Sequence, residues 1–227
     1  MDRRAIVFDC DGVLIDSEGL AWRAWREVLA TYGYTPSDGE IQYLLGRSAD
    51  EIQAHFSSKV MISDEAEMKA ALDTSMMSLF EENLVRFEDA ASLAFASKAR
   101  GLPMAVASSS DHQRLVQSLR IVGLLELFDV IVGGDDVQRG KPSPDVFLEA
   151  ARQLGVDAGN CLAVEDSVVG VESAVAAGMF VVAVARASTS RDELGSAQLV
   201  VDALFPELLD HEFMTSAPPI LPNPSHA

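Results

Sequence analysis

Six short apolar runs, set apart by stretches with a helical repeat, leave this chain few ways to fold. The runs are Ala5–Phe8, Met104–Ala107, Val130–Val132, Cys161–Val164, Phe180–Val184 and Leu199–Val201. Between the later ones, Asp111–Ile121, Pro144–Leu154 and Val168–Ala177 carry apolar residues at helical spacing. A strand that is apolar along its whole length has no polar side to offer water, so both of its faces must be covered. Strands alternating with helices therefore predict an α/β fold built on a parallel sheet with helices on both faces. The helix ends carry punctuation. Ser143-Pro144 reads as an N-cap followed by Pro at the first helical position, and Gly123, Gly155 and Gly178 follow the ends of their helices.

One interval breaks this rhythm. Roughly ninety-five residues separate the first run from the second, where a crossover unit needs about thirty. The excess, from about Ser17 to Phe87, shows no convincing strand pattern. It does show helix-period stretches at Glu18–Thr31, Ser37–Leu45, Ala49–Phe56 and Asp64–Phe80. The economical reading is a helical cap, residues 17–87, inserted into a core made of residues 1–16 and 88–212. Its two connections, near Asp16 and near Arg86–Ala90, are expected to act as hinges. Residues 213–227 form a tail, and Thr215–Ala227 is rich in Pro and Ser.

Charge and composition exclude several function classes. Seventeen basic against thirty-five acidic residues leave a net charge of −18. Such a chain repels nucleic acid and anionic lipid, whose binding depends on counterion release by Lys and Arg. No run reaches the roughly 18 apolar residues of a membrane span, and the first apolar run meets Asp9 too early for a signal peptide. Cys10 and Cys161 both sit in apolar segments and read as buried free thiols. A soluble protein of the reducing cytoplasm, monomeric or weakly dimeric, is expected.

In parallel α/β sheets, ligands bind beyond the carboxyl ends of the strands. After the first strand stand Asp9 and Asp11, two carboxylates that an extended segment directs to one side. Two close carboxylates repel unless a cation or proton lies between them. After the second strand come Ser108, Ser109 and Ser110, after the third Gly140-Lys141-Pro142-Ser143-Pro144-Asp145, and after the fourth Glu165-Asp166-Ser167. Hard oxygen ligands suit Mg²⁺, while a hydroxyl and an ammonium suit phosphate oxygens. Some of these residues also have simpler uses. Asp16 and Ser17 read best as helix caps, as does Ser109 or Ser110, which leaves Ser108 at the strand end for phosphate. Asp166 or Ser167 is placed to cap the helix from Val168. His112 reads as an exposed residue of a first helical turn.

Taken in order, these segments resemble the motifs of the haloacid dehalogenase-like superfamily, in its branch with a helical cap. The first motif is read in Asp9-Cys10-Asp11-Gly12-Val13-Leu14-Ile15-Asp16-Ser17, the second in Ser108, the third in Lys141 and the fourth in Val164-Glu165-Asp166-Ser167. The resemblance extends to about Leu209 and implies a Rossmann-like core. It also implies phosphoryl transfer through an aspartyl-phosphate, with Asp9 as nucleophile and Asp11 as general acid and base. Mg²⁺ would be held by Asp9, the Asp11 carbonyl, Glu165 and Asp166. Ser108 and Lys141 would grip the transferring oxygens, with Ser109 and Arg47 as further substrate contacts. Dehalogenating relatives generally lack the second aspartate, since a halide leaves without a proton, so Asp11 argues for a phosphate ester.

The implied activity is hydrolysis of a small phosphorylated metabolite of sugar size. β-Phosphoglucomutase-type transfer is the alternative. Mutase-like chains commonly carry a histidine at the position matching Ala21, and its absence favours water as acceptor. A receiver-type signalling module also has an acidic pocket, a hydroxyl and a lysine, but neither the insertion nor the Gly-Lys-Pro-Ser-Pro-Asp segment suits it. In the cap, Trp22 and Trp25 lie on one helix face and are expected to pack in its core. Lys69 is expected on an exposed face.

Overall fold

A computed structural model describes residues 4–44, 49–60, 64–186 and 189–215 of the chain. Its elements run β1 (Ala5–Phe8), β2 (Ile15–Asp16), α1 (Glu18–Thr31), α2 (Asp38–Leu44), α3 (Ala49–Ser57), α4 (Glu65–Asn83) and β3 (Val85–Arg86). There follow α5 (Glu88–Ala99), β4 (Met104–Ala107), α6 (His112–Ile121), β5 (Val130–Val132), α7 (Asp145–Leu154), β6 (Cys161–Glu165), α8 (Val168–Ala176), β7 (Phe180–Val184), β8 (Leu199–Val201) and α9 (Glu212–Thr215). All six expected strands form one parallel sheet in the order β5-β4-β1-β6-β7-β8. None of the described helices is long and apolar enough to cross a membrane.

β1 lies at the centre, with Val7 opposite Ala105 of β4 on one side and Ala163 of β6 on the other. Its side chains alternate between two cores, as strand geometry requires. Ile6 and Phe8 enter a cluster with Leu93 of α5 and Leu115 of α6. Ala5 and Val7 enter a second cluster with Phe147 of α7 and Val171 of α8. Both faces of the sheet are thus covered by helices, which is why the strands can be apolar throughout.

Two local details differ from expectation. Ser143 does not cap α7; Pro144 occupies the cap position, and the Ser143 hydroxyl donates to Asp145 Oδ1 at 2.8 Å. α7 does end on Gly155, at φ +67, with the Val156 N–H returning to the Ala151 carbonyl. The interval read as strand-free also contains β3. It pairs antiparallel with β2, Ile15 opposite Arg86 and Asp16 opposite Val85. Two residues are too few to show an alternation in sequence, so only the pairing reveals them.

Helices α1 to α4 lie between the two halves of this ribbon and have a cluster of their own, Trp25, Val28, Leu29, Leu44, Phe56, Met68 and Leu72. Asp64 caps α4, accepting from the N–H groups of Ala66 and Glu67 at 2.9 and 3.1 Å. The far end of α4 joins the main core through Met76, Leu79 and Phe80. One long helix therefore serves both clusters. Arg47 and residues 216–227 of the tail lie outside the described residues.

Candidate active site

The chain moves outward from β1 to β4 and β5 on one side and to β6, β7 and β8 on the other. The carboxyl end of β1 is therefore the point where the strand order reverses and a crevice opens. The Asp9 N–H donates to the Val164 carbonyl at 2.9 Å, which extends the β1–β6 ladder by one bond and holds the Asp9 backbone. A tight loop follows, closed by bonds from the Leu14 and Ile15 N–H groups to the Cys10 carbonyl at 2.8 and 3.1 Å. Gly12 turns this loop at φ +83, and a Cβ there would lie 2.0 Å from Asp166 Oδ2. Only glycine lets the loop pass so close to that carboxylate.

Lys141 reaches in from the β5–α7 loop. Its ammonium lies 2.5 Å from Asp9 Oδ1 and 2.6 Å from Glu165 Oε1, with its side chain 4% exposed. The Phe147 ring centroid is 4.8 Å away. Attraction to Asp9 and Glu165 outweighs burial and raises the Lys141 pKa, so the ammonium stays charged. Glu165 is fully buried at the end of β6. Its Oε2 accepts from the Asp166 N–H at 2.9 Å and from the Ser167 N–H and hydroxyl, both at 3.0 Å. Ser167 Oγ also accepts from the Gly170 N–H at 3.1 Å. Ser167 rather than Asp166 therefore caps α8, which leaves the Asp166 carboxylate to the cavity.

Carboxylate oxygens of Asp9, Glu165 and Asp166 come within 4.8 Å of one another. Among the described residues, Lys141 is the cation paired with this set, through Asp9 and Glu165. Burial, together with the charges of Glu165 and Asp11, raises the Asp9 carboxyl well above its usual range despite Lys141. Burial, Glu165 and Asp9 do the same to Asp166. A site so short of positive charge, lined by oxygen donors, fits a hard divalent cation. The nearby Cys10 thiol is buried and free, and burial plus the charges of Asp11 and Asp9 push its pKa well up, so it stays protonated and inert. Cys161 is likewise buried and free, its thiol pushed by burial to about 12.

The Asp11 carboxylate is not in that cluster of described acids. Beyond Phe8 the chain is no longer regular strand, and the Asp11 carboxylate is taken by two hydroxyls. Ser17 donates to Oδ1 at 2.5 Å and Ser110 to Oδ2 at 2.7 Å. Neither serine is the side-chain helix cap expected of it. Ser17 occupies the cap position of α1 without a side-chain capping bond, and Asp111 stands before α6. Ser108 is buried at the end of β4; its N–H donates to the Val132 carbonyl at 3.1 Å and its Oγ accepts from the Ser110 N–H at 3.1 Å.

Asp9, Asp11, Ser108, Ser109, Lys141 and Asp166 line one cavity of about 640 Å³, with Glu165 packed behind. Trp22 and Trp25 pack in the inserted helices as expected, and they also line this cavity. Lys69 is exposed as expected; it pairs with Asp73 at 2.9 Å and, across to the core, with Asp111 at 3.0 Å. His112 begins α6, tied to Asp136 by a 2.7 Å bond to its Nδ1. Arg47 lies outside the described residues.

Two arginines at the site carry no sequence motif. Arg114 donates to Ser110 Oγ at 2.5 Å and approaches Met76 Sδ at 3.5 Å; its place one helical turn after Ser110 was the available signal. Arg186 follows β7, a strand end that the four-cluster reading stops short of. It donates to the Gly12 carbonyl at 3.1 Å, grips Asp89 with two bonds of 3.0 Å and lies 3.9 Å over the Phe87 ring. It thereby ties the acidic loop to the start of α5.

The comparisons agree with this geometry. The chain is 32% identical over 206 residues to the bifunctional riboflavin kinase/FMN phosphatase of Arabidopsis thaliana, covering 88% of this chain and 53% of that protein, so it spans about half of that relative's length. It is 32% identical over 178 residues to 6-phosphogluconate phosphatase of Escherichia coli, covering 77% of this chain and 79% of that one. The crystal structure of β-phosphoglucomutase from Clostridium difficile superposes with a TM-score of 0.78 at 26% identity, covering 93% of this chain and 95% of that one. The family model for haloacid dehalogenase-like hydrolases matches residues 6–184, from β1 through β7. Motif order, sheet topology and family match converge, and this chain belongs to the haloacid dehalogenase-like hydrolase family.

Proposed function

We propose that this chain is a Mg²⁺-dependent phosphatase that hydrolyses a small phosphorylated metabolite of sugar size through an aspartyl-phosphate on Asp9. The supporting observation is the buried set Asp9, Glu165 and Asp166, with Lys141 as the one ammonium paired with it among the described residues. Three buried acids and one cation beside a cavity call for one more cation and for the phosphoryl group it neutralises. Asp9, Asp166, Glu165 and the Asp11 carbonyl would hold Mg²⁺, which supplies charge neutralisation to the phosphoryl oxygens. The inserted helices of residues 17–87 serve as a cap, with the β2–β3 ribbon as hinge.

In this reading Asp9 attacks phosphorus in line, its carboxylate held by Lys141 and its backbone by the bond to Val164. Lys141 and Ser108 stabilise charge on the equatorial oxygens. Asp11 protonates the leaving alkoxide and then takes a proton from the water that hydrolyses the acyl phosphate. Ser17 and Ser110 orient Asp11 for both steps. The names of relatives such as 6-phosphogluconate phosphatase support a phosphate ester as substrate.

The resemblance to β-phosphoglucomutase keeps a mutase as second reading. Ala21 lines the cavity and offers no group to pass a proton. A decisive assay follows phosphate release from an aryl phosphate and from β-glucose 1-phosphate with Mg²⁺. Phosphate from both, with no glucose 6-phosphate formed, is expected, and Asp9→Asn abolishes it. Full activity in Asp9→Asn refutes the nucleophile; accumulation of glucose 6-phosphate establishes the mutase.

A further inference from the structure

Asp11, Ser110 and Arg114 form a chain of hydrogen bonds that runs from the acidic loop into α6. The Ser110 hydroxyl donates to Asp11 Oδ2 at 2.7 Å, and Arg114 donates through Nη2 to Ser110 Oγ at 2.5 Å. All three residues line the cavity. Ser110 is buried, and its backbone is fixed without help from the arginine. Its N–H donates to Ser108 Oγ at 3.1 Å, and its carbonyl accepts from the Gly134 N–H at 2.9 Å. The side chain is the part of Ser110 still to be set.

The donor inventory of Arg114 sets it. A hydroxyl carries one hydrogen and two lone pairs, and it turns to suit its partners. A guanidinium has only donors and stays charged. Arg114 therefore occupies a lone pair of Ser110 Oγ and can never accept its hydrogen, which leaves the Asp11 carboxylate to accept it. Without the guanidinium the hydroxyl is free to turn. A protonated Asp11 is then free to donate to Ser110 instead of to a leaving oxygen.

Arg114 is itself held from the inserted helices. Its Nη1 approaches Sδ of Met76, on α4, at 3.5 Å. Lys69, on the same helix, pairs at 3.0 Å with Asp111, the residue between Ser110 and α6. That exposed pair contributes little energy, while the Met76 contact meets the guanidinium directly. Together they brace the turn from Ser110 to Arg114 against α4.

We propose that Arg114 is a positioning residue for proton transfer by Asp11: it fixes the Ser110 hydroxyl as a donor and so keeps the Asp11 proton for the leaving oxygen. This role rests on the phosphatase reading. It differs from a substrate contact because it acts only through Ser110, and only where the leaving group needs a proton.

The experiment measures kcat/KM with Mg²⁺ for phenyl phosphate and 4-nitrophenyl phosphate, which share a ring and differ in the basicity of the oxygen that leaves. Phenolate is the more basic and depends more on an acid. Arg114→Met, which keeps the bulk of the side chain, is expected to lower kcat/KM about fivefold for phenyl phosphate and less than about twofold for 4-nitrophenyl phosphate. Inorganic phosphate, as a competitive inhibitor, is expected to keep its Ki within about twofold. In a Ser110→Ala background the same substitution is expected to change neither ester by more than about twofold, since residues joined in one hydrogen-bond chain do not add. Arg114→Leu serves if Arg114→Met loses its cooperative melting transition. Equal losses on the two esters, a matching rise in Ki for phosphate, or an undiminished loss in the Ser110→Ala background overturns the proposal. Turnover of neither ester by the unsubstituted chain removes the phosphatase reading, and the positioning role with it. Turnover of both esters with no selective loss in Arg114→Met removes the positioning role alone.

Discussion

The Ser110 hydroxyl donates a 2.7 Å hydrogen bond to Asp11 across a separation of 99 residues. With Ser17 on the other carboxylate oxygen, it sets the direction in which Asp11 presents its oxygens to the cavity. Arg114 in turn holds Ser110. The residue proposed to handle protons is thus oriented by three elements of the fold: the start of α1, the β4–α6 loop and α6 itself.

Removing either hydroxyl should loosen Asp11 without disturbing the core. Ser110→Ala is expected to lower kcat for an alkyl phosphate about tenfold, the size of one hydrogen bond to a charged group. The loss should be smaller for 4-nitrophenyl phosphate, whose leaving group needs less help from an acid. Steady-state kinetics on the two substrates test this; equal losses on both would assign Ser110 a purely structural role.

Lys141 should matter for stability as well as turnover. Lys141→Met leaves Asp9 and Glu165 buried without their ammonium. Breaking such a buried pair costs about 3–5 kcal/mol. Urea unfolding should show that loss at neutral pH, and adding Mg²⁺ should restore part of it. An unchanged midpoint would mean that the acids find another neutralising partner.

Divalent cation should stabilise the folded chain through the acids, independently of catalysis. Adding Mg²⁺ at 100 times its Kd is expected to stabilise by about 2.7 kcal/mol, read as a rise in Tm after treatment with a chelator. Asp166→Ala should flatten that response. A Tm indifferent to Mg²⁺ in the unsubstituted chain would rule out an ion among Asp9, Glu165 and Asp166.

Glu40 supplies a pH-dependent contribution far from the site. Burial opposes its ionisation, but bonds from His55, Lys59 and Tyr34 prevail and hold the carboxyl at about 2. Its folded pKa lies below the roughly 4.3 of an unfolded glutamate. The associated stability is therefore complete above about pH 4.3 and is lost as pH falls toward 2. The stability difference between the unsubstituted chain and Glu40→Gln should be largest at neutral pH and shrink across that window in chemical unfolding. A difference constant from pH 7 to pH 3 would contradict the bond network.

Arg186 should resist conservative exchange. Its guanidinium grips Asp89 with two bonds, reaches the Gly12 carbonyl and covers the Phe87 ring at once. A lysine cannot reproduce that fork. Arg186→Lys is expected to lose about 1.5–3 kcal/mol of stability and to lower kcat through the freed acidic loop, measured by unfolding and aryl phosphate turnover together. A stable variant with full kcat would show that the loop holds itself.

The strands, the inserted helices and Asp9, Ser108, Lys141 and Asp166 at their strand ends were legible because each is announced by local pattern. Apolar runs mark strands, 3.6-residue spacing marks helices, and a parallel sheet places its strand ends on one rim. The β2–β3 ribbon escaped because two residues carry no period, and Arg186 because a lone arginine after a strand looks like any other. Local rules placed Ser17 correctly at the start of α1 but not the partner of its hydroxyl, and they misread Ser110, since a hydroxyl near a helix start has a cap as its nearest partner in sequence. Only the folded chain brings Asp11 to them instead. By itself the sequence determined the alternation of elements and the identity of the reactive groups, which depend on neighbours along the chain. Tertiary structure alone decided which donor serves which acid, that Ser167 frees Asp166, and that two tryptophans line the same cavity as the acids, because those relations depend on distances in space that no spacing along the chain encodes.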